Sequence, residues 1–229
     1  MKKLVVLSGA GISAESGIRT FRDADGLWEG HDVMEVASPA GWRNNQELVL
    51  DFYNQRRQQA LSAIPNAGHK ILADLENHFK VTIITQNVDN LHEKSGSSHI
   101  IHLHGELFKS RSTSHPELVY EVEGWELKTG DCCEKGAQLR PNIVWFGEDV
   151  PLMNTAISEV MAADIFIVIG TSLQVYPAAS LINCVSKNAQ KYIIDPNMPS
   201  IAKQSDLHLI EKGGSEGMAE VQEILLTEL

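Results

Sequence analysis

The sequence predicts an α/β fold, a doubly wound parallel sheet with a smaller lobe formed by insertions. Three observations predict it. A short apolar strand runs directly into the glycine turn Gly9-Ala10-Gly11. Apolar strands then alternate with helical patterns, which is typical of a parallel sheet with helices on both faces. Polar clusters follow the strands, and parallel sheets bind ligands at the carboxyl ends of their strands.

The first strand is the apolar run 4–7, and the turn after it fits the nucleotide-binding pattern G-x-G-x-x-A. Gly9 allows a tight turn, and Gly11 lets the backbone approach a pyrophosphate. The N–H groups of the following helix are expected to point at the anion. The pattern is also met in ordinary glycine turns. The acidic residue that dehydrogenases place about 20 positions further on to hold a ribose is missing here.

The next strand, 81–85, comes only after a long insertion. Residues 30–65 look helical, and their best-formed helix covers 47–61. Residues 106–142 are polar with little apolar periodicity. We expect these two insertions to form the small lobe. The large part of a single domain over 1–229 then comprises 1–29, 66–105 and 143–229.

The rest of the chain continues the alternation of strands and helices. Further strands are predicted at 100–103, 143–146, 165–169 and 192–194, with 207–210 as a candidate sixth. Helical patterns cover 67–79, 153–162, 178–188 and 217–226. Residues 165–169 are nearly all apolar, which favours burial on both faces. The polar clusters at strand ends are 86–89, 104–105 and 170–172.

Composition limits the class of protein. The 229 residues are 43% hydrophobic and 21% charged, which is ordinary for a soluble globular enzyme. The net charge of −11 argues against nonspecific binding to nucleic acid. No apolar run approaches the ~18 residues that span a membrane, and no signal-peptide pattern is present. Three cysteines suit a reducing compartment. We therefore expect a cytoplasmic protein with no membrane or nucleic-acid partner.

Several motifs stand in one order along the chain: Gly-Ala-Gly-Ile-Ser-Ala-Glu-Ser-Gly-Ile (9–18), Phe21-Arg22, Thr-Gln-Asn-Val-Asp (85–89), Leu-His-Gly (103–105), Leu-Arg-Pro (139–141), Val-Trp-Phe-Gly-Glu (144–148) and Gly-Thr-Ser (170–172). In this order and spacing the chain resembles the sirtuins, NAD-dependent protein deacylases, over essentially its full length. The resemblance implies a Rossmann-like large domain and a smaller lobe. It also implies a cleft between them where NAD meets an acylated lysine side chain.

The resemblance also implies roles for individual residues. His104 would be the base that activates a ribose hydroxyl, which suits an imidazole because it titrates near neutral pH. A histidine after a strand is otherwise often structural. Asn87, also catalytic, would hold the ribose or a water beside it. Asp89 would accept from the carboxamide of nicotinamide, and Gln86 would orient the ribose. The products would be nicotinamide and O-acyl-ADP-ribose.

Further positions would contact the two substrates. The NAD-binding set also includes Gly9, Ala10, Gly11, Ser13, Phe21, Arg22, Gly170, Thr171 and Ser172. Arg22 or its neighbour Arg19 would clamp a phosphate, since guanidinium suits that geometry, or both are solvated surface charges. The backbone of Val144, Trp145, Phe146, Gly147 and Glu148 would bind the peptide as an added strand.

Two departures from the family pattern matter. Most sirtuins hold a structural zinc with four cysteines, and the matching positions here are Ser112, His115, Cys132 and Lys135. A closed zinc site needs four nitrogen or sulfur ligands, so we expect no zinc. The second departure is Asp195, where the family usually places Asn for the adenosine ribose. A carboxylate also accepts from ribose hydroxyls, and either Asp195 or Asn197 is expected to make this contact.

The predicted helix 47–61 indicates the substrate class. Tyr53 and Arg56 are spaced i, i+3 and share one face, whereas Arg57 points about 100° away. In a subset of sirtuins, Tyr-x-x-Arg at this place reads the carboxylate of succinyl, malonyl or glutaryl lysine. The alternative is a surface helix with a solvated Arg56. The resemblance thus implies a desuccinylase or demalonylase that also deacetylates. Mono-ADP-ribosyl transfer and a non-catalytic NAD or ADP-ribose sensor are the alternative functions.

Overall fold

Eleven strands are present in the structure, a computed structural model that describes residues 1–19, 27–28, 30–199 and 206–229. In chain order they are β1 (Lys3–Ser8), β2 (Leu27–Trp28), β3 (His31–Asp32), β4 (Lys80–Thr85), β5 (Ile100–His102), β6 (Gly105–Ser112), β7 (Val119–Glu121), β8 (Leu139–Ile143), β9 (Ile165–Ile169), β10 (Gln190–Ile194) and β11 (Leu207–Ile210).

The helices of the described residues are α1 (Ala10–Ala14), α2 (Val33–Val36), α3 (Pro39–Asn44), α4 (Gln46–Ser62), α5 (Ala67–Asp74), α6 (Leu91–Ser95), α7 (Met153–Met161) and α8 (Gly214–Thr227). Two 3-10 helices cover Leu75–Asn77 and Ala178–Cys184. Among these ranges, no helix combines the length and the apolar character that a membrane crossing requires.

The main sheet is parallel and has six strands in the order β11-β10-β9-β1-β4-β5. The chain first builds outward from β1 through β4 and β5, then returns to the other side of β1 with β9, β10 and β11. The switch in direction opens a crevice between the carboxyl ends of β1 and β9, which is where such sheets bind ligands.

Both faces of the sheet are covered, as the doubly wound prediction requires. Alternate residues of β1 point to opposite faces. Leu4 and Val6 pack with α5 and α8, while Val5 and Leu7 pack with α7 and the second 3-10 helix. All five residues of β9 are buried, which confirms the prediction from their apolar run. The α/β, Rossmann-like fold class is therefore confirmed.

The two insertions pack against each other. An antiparallel sheet of β7-β6-β8 and the helices α2 to α4 enclose a separate apolar cluster that contains Val49, Phe52, Leu107 and Trp145. The strands of residues 106–142 were missed because burial along them does not alternate residue by residue. In β6 the buried residues are Leu107, Ser110 and Ser112. The proposed bounds of the large part and the small lobe stay a prediction.

Two predicted elements were wrong in place or kind. The strand predicted at 143–146 is β8, which ends at Ile143 and pairs antiparallel with β6 outside the main sheet. The chain leaves the ladder there because Phe146 N donates to Ala37 O (3.0 Å) instead. The helix predicted at 178–188 is a 3-10 helix, since Ser180 donates both N–H and hydroxyl to Pro177 O, three residues back (2.9 and 2.7 Å).

Candidate active site

The glycine turn after β1 lies against the turn after β9. Gly9 N donates to Ile169 O (3.0 Å) and Gly11 N donates to Gly170 O (2.8 Å). A Cβ on Gly11 would lie 2.6 Å from the Cα of Gly170, so only glycine fits. The turn thus lies at the switch point between the carboxyl ends of β1 and β9. However, these two N–H groups bond within the protein and do not point outward as donors for a phosphate.

A hydrogen-bonded network joins the ends of β1 and β4. The side-chain amide of Asn87 donates to Gly9 O and to Ser13 Oγ, both at 3.1 Å. Ser13 Oγ donates to Asp89 Oδ2 (3.0 Å), and Asp89 Oδ1 accepts from Leu91 N (3.1 Å). Burial raises the pKa of Asp89, although these two donors oppose the shift. Three predicted NAD residues, Ser13, Asn87 and Asp89, are therefore held in one rigid cluster.

Gln86 connects this cluster to the other side of the crevice. Its side-chain amide donates to Thr171 Oγ1 (3.2 Å), and its N–H donates to Ser8 O (2.9 Å). Thr171 Oγ1 also accepts from Leu173 N (3.3 Å). Gln86 thus spans from the end of β4 to the turn after β9, which carries Gly170, Thr171 and Ser172.

His104 follows β5 at the same edge of the sheet and is half-buried. Its Nδ1 lies 3.0 Å from Gln86 O. A carbonyl oxygen can only accept, so Nδ1 carries the proton and a neutral ring has its lone pair on Nε2. Burial lowers the pKa of His104, although the bond to Gln86 opposes the shift. The ring is therefore a neutral base at pH 7 with its acceptor at Nε2.

The remaining predicted NAD residues are placed as follows. Asp195 is buried after β10, and its Oδ1 accepts from Asn197 N (2.8 Å), while Asn197 itself is exposed. Asp195 thus shapes the turn that carries Asn197. Ala10 begins α1. Phe21 and Arg22 lie outside the described residues.

The segment 144–148 is folded back on itself. Val144 N donates to His104 O (2.9 Å), and Glu148 N donates to Trp145 O (3.0 Å). Trp145 N donates to Glu148 Oε2 (2.8 Å). With Phe146 N bonded to Ala37 O, four of the five N–H groups in 144–148 already have acceptors. That this backbone binds a peptide as an added strand stays a prediction, in which Gly147 N–H and the carbonyl groups would take part.

Glu148 is held by two arginines. Arg140 donates to both of its carboxylate oxygens (2.7 and 3.1 Å), and Arg111 Nη2 lies 3.1 Å from both. Burial would raise the pKa of Glu148, but the bond to Arg140 and the Trp145 N–H hold it below its usual value. Arg140 also lies 3.2 Å from the centroid of the Trp145 ring. The Glu148 side chain is thus a structural anchor of the segment, and a backbone contact of Glu148 with a peptide stays a prediction.

Tyr53 and Arg56 are both buried and share one region, as predicted. Trp145 Nε1 donates to the Tyr53 hydroxyl (3.1 Å), and the guanidinium of Arg56 lies 5.0 Å from the Trp28 ring. Burial raises the pKa of Tyr53, so its hydroxyl keeps its proton. Trp28 packs edge-on to Tyr53 at 6.4 Å. The contacts of Trp28 with Tyr53 and Arg56 were not predicted from the sequence. The only signal for them is that Trp28 is an aromatic residue next to the first insertion.

Arg57 has a different environment from Arg56. It is fully buried and donates to Trp125 O (2.8 Å), Leu107 O (3.4 Å) and Asn54 Oδ1 (2.5 Å). Burial lowers its pKa to about 10. Arg57 thus fastens α4 to the small sheet, which agrees with its predicted different direction on the helix.

Three of the four positions that match the zinc ligands of the family make other contacts in this structure. Ser112 Oγ accepts from Cys133 Sγ (3.3 Å) and from His115 N (3.2 Å). His115 and Lys135 each lie 3.7 Å from Glu117 Oε1, and Cys132 is exposed. In the described ranges, no three His, Cys, Asp or Glu side chains gather as a metal site would require.

A buried histidine pair lies beneath the site. The rings of His69 and His92 are 5.0 Å apart, and His92 Nε2 lies 2.9 Å from Ser8 Oγ at the end of β1. Burial lowers the pKa of His69 to about 4. Burial, then the charge of His69, lowers the pKa of His92 well below its usual value.

This pair predicts how stability depends on pH. In the unfolded chain both histidines titrate near 6.5, so between about pH 6.5 and 4 the unfolded state binds more protons. Stability is therefore lost as pH falls through this window. We expect the free energy of unfolding in urea to drop by about 2 kcal/mol between pH 6 and pH 5. His69→Leu should remove roughly half of this dependence. The matched control is His78→Asn at an exposed histidine, which should leave the pH dependence of the free energy of unfolding unchanged. An equal dependence of the free energy of unfolding on pH in both variants would contradict the assignment of this dependence to the buried histidine pair.

Known proteins resemble this chain over nearly all of its length. Residues 9–177 match a family model described as Sir2 family. An NAD-dependent protein deacylase of Helicobacter pylori (strain ATCC 700392 / 26695) is 57% identical over 226 residues, which cover 99% of this chain and 98% of that protein. An NAD-dependent protein deacylase of Bacteroides thetaiotaomicron is 54% identical over 231 residues, with 99% of each covered.

Solved structures show the same fold. A complex of a Sir2 homologue with NAD superposes with a TM-score of 0.89 at 40% identity, covering 99% of this chain and 90% of that one. A mutant Sir2 homologue in complex with ADP ribose superposes with a TM-score of 0.90 at 39% identity, covering 99% and 93%.

Proposed function

The chain belongs to the Sir2 family, and we propose that, as an NAD-dependent protein deacylase, it removes from lysine side chains acyl groups that end in a carboxylate. Succinyl and malonyl lysine would be its preferred substrates, and acetyl lysine a poorer one. The acyl group would be transferred to ADP-ribose with the consumption of one water, and nicotinamide and the free lysine amine would be released, which would make the enzyme a transferase. Its targets would be lysine side chains of cytoplasmic proteins.

The donor set at the switch point fits NAD. Amides, hydroxyls and two carboxylates lie at this edge of the sheet, and they match the polar groups of a carboxamide and two riboses. Ser13, Asn87 and Asp89 would hold the nicotinamide end, while Thr171 and Asp195 would lie toward the adenosine end. NAD, when bound, supplies a ribose carbon that can accept the acyl oxygen once nicotinamide leaves. The protein's part is to orient these groups.

His104 supplies the proton acceptor of this scheme. Its Nδ1–H is fixed by Gln86 O, so the ring cannot turn freely and Nε2 stays the acceptor. Because burial lowers its pKa, the ring is neutral near pH 7. It would take a proton at Nε2 from a hydroxyl of the bound substrate.

One observation carries the proposed acyl preference: the Trp145–Tyr53 hydrogen bond. It ties the Tyr-x-x-Arg pair to the segment whose Val144 N–H bonds to His104 O. A lysine acyl group that reaches His104 would therefore extend toward Arg56. The buried Tyr53 hydroxyl accepts from Trp145, and its own proton is left to donate. A cation and a hydroxyl in a largely dry region favour an anionic acyl group.

The alternative functions need less of this arrangement. Mono-ADP-ribosyl transfer and NAD sensing require a nucleotide site, but neither requires an acyl-reading pair joined to His104. One experiment separates the three. The protein is incubated with NAD and a succinyl-lysine peptide, and the products are identified by mass spectrometry. Deacylation gives nicotinamide and O-succinyl-ADP-ribose, ADP-ribosyl transfer adds ADP-ribose to an acceptor, and a sensor leaves both substrates unchanged.

We also propose that the small lobe is stable without zinc. Ser112 and Lys135 replace two thiolates, and the side chains of Ser112, His115 and Lys135 contact other groups. A thiolate zinc site contributes several kcal/mol to folding, so removal of a bound zinc by a chelator would lower the melting temperature. We expect elemental analysis of the purified protein to find no stoichiometric zinc. We also expect a chelator to leave the melting temperature unchanged. One zinc per chain, or a clear drop in melting temperature, would overturn this.

A further inference from the structure

His102, at the end of β5, is bonded through both ring nitrogens. Its Nδ1 lies 3.2 Å from the main-chain oxygen of Asn87, and its Nε2 lies 2.6 Å from Glu93 Oε1 on α6. The His102 side chain is 8% exposed, so water competes little for these bonds. Neither the motifs nor the reaction proposed above uses this histidine. Its sequence signal is its position two residues before His104.

Both partners of the ring can only accept. A carbonyl oxygen and a carboxylate oxygen have no proton to give, so each bond needs an N–H from the imidazole. A neutral imidazole has only one N–H. The two bonds can therefore coexist only if His102 is the doubly protonated cation.

From this geometry we propose that His102 is a positioning residue: as an imidazolium held by Glu93, it fixes the main chain of Asn87 in the active site. The inference rests on the proposed function, because it takes Asn87 as part of the reacting site. His102 and His104 then bind consecutive carbonyl groups, those of Asn87 and Gln86, in opposite protonation states. His104 acts when neutral, and His102 acts when charged.

The surrounding charges favour this state. Glu93 on α6 and Glu106 on β6 are anionic neighbours, while Lys109 on β6 bonds to Glu106 (3.0 Å). The buried Asp89 and His92 also lie within electrostatic range. Burial works against the cation, but Glu93 and Glu106 together raise the pKa of His102 above its usual value. His102, Glu93, Glu106 and Lys109 line an open cleft, through which protons can exchange with solvent.

Loss of the His102 proton must break one of its two bonds, since a lone pair then faces an acceptor. Deacylation should therefore fall as pH rises through the pKa of His102. It should also fall as pH drops through that of His104. The profile of kcat/KM against pH is thus expected to be bell-shaped, with its alkaline limb set by His102.

Two substitutions at His102 separate its two bonds. In His102→Asn, an amide N–H lies near the position of Nδ1, so the donor to Asn87 O is kept without a titrating group. In His102→Gln, the donor reaches toward Glu93 and the bond to Asn87 O is lost. We expect His102→Asn to stay within about tenfold of wild-type kcat and to lose the alkaline limb. His102→Gln should have the lower kcat of the two. His78→Asn serves as the matched control and should keep the full wild-type profile.

Glu93→Gln tests the source of the charge. It keeps an acceptor for Nε2 but removes the anion, so the alkaline limb should move toward acid by about one pH unit. A limb that stays at the same pH in Glu93→Gln, or that persists in His102→Asn, would overturn the proposal.

Nitrogen NMR gives a readout that needs no turnover. In the free protein at pH 7, both ring nitrogens of His102, assigned by their absence from the His102→Asn spectrum, should be protonated. The amide signal of Val88, which follows Asn87, should shift as His102 titrates. One unprotonated ring nitrogen at pH 7 would contradict the proposal. If the protein lacks deacylase activity, the proposed function fails, and this spectrum still decides the state of His102.

Discussion

Replacing His104 with alanine should lower deacylation by about 10²- to 10⁴-fold and leave NAD binding largely intact. The reason is that the base and the residues expected to bind NAD are different side chains. His104 contributes a lone pair at Nε2, whereas the anchors expected for NAD lie on Ser13, Asn87 and Asp89, which bond to one another independently of the ring. The measurement pairs steady-state turnover with calorimetric titration of NAD into the same variant.

The matched control for this experiment is His78→Ala, which removes an exposed histidine before β4. It should keep wild-type turnover. His104→Ala retaining more than about a tenth of wild-type turnover would remove His104 from the role of base. A parallel loss of NAD affinity would show that the ring is an anchor instead.

Replacing Arg56 with methionine should lower desuccinylation by roughly ten- to a hundredfold and should maintain or raise deacetylation. A charge-assisted hydrogen bond contributes about 1.5–3 kcal/mol, and this bond exists only when the acyl group carries a carboxylate. An acetyl group gains nothing from the guanidinium beside it. The measurement is kcat/KM for succinyl and acetyl versions of one peptide.

Arg57→Met is the matched control for Arg56→Met, because the two arginines are adjacent on α4. The guanidinium of Arg57 bonds to the carbonyl groups of Leu107 and Trp125, so its loss should lower the melting temperature. Any fall in activity should then affect both acyl groups alike. An equal loss of both activities in Arg56→Met would mean that Arg56, too, is structural.

The parts of the fold that the sequence predicted well are those set by local patterns. The apolar runs of β1, β4 and β9 could only be buried strands, and polar residues directly after them had to gather at one edge of a parallel sheet. The positions of Asn87, Asp89 and His104 followed from that rule. Helical spacing predicted that Tyr53 and Arg56 share one face, whereas the resemblance to the sirtuins implied their role as a pair.

The parts that were missed depend on distant partners. Nothing local to 143–146 shows that Phe146 N–H bonds to Ala37 O, which ends β8 early. The same holds for Glu148, whose neighbours Arg111 and Arg140 come from other parts of the small sheet. The contact between Trp28 and Arg56 and the bond between His102 and Glu93 likewise join residues from separate elements. Such contacts appear only once the chain has folded.

The most direct test of the central claim is the ratio of kcat/KM for succinyl-lysine to that for acetyl-lysine in wild-type protein. Both peptides share one sequence, NAD is saturating, and released nicotinamide is measured for each. The account predicts activity that depends on NAD and a ratio above about ten in favour of the succinyl peptide. A ratio of one or below would contradict the acidic-acyl assignment and leave a plain deacetylase. No nicotinamide release from either peptide would contradict deacylation itself.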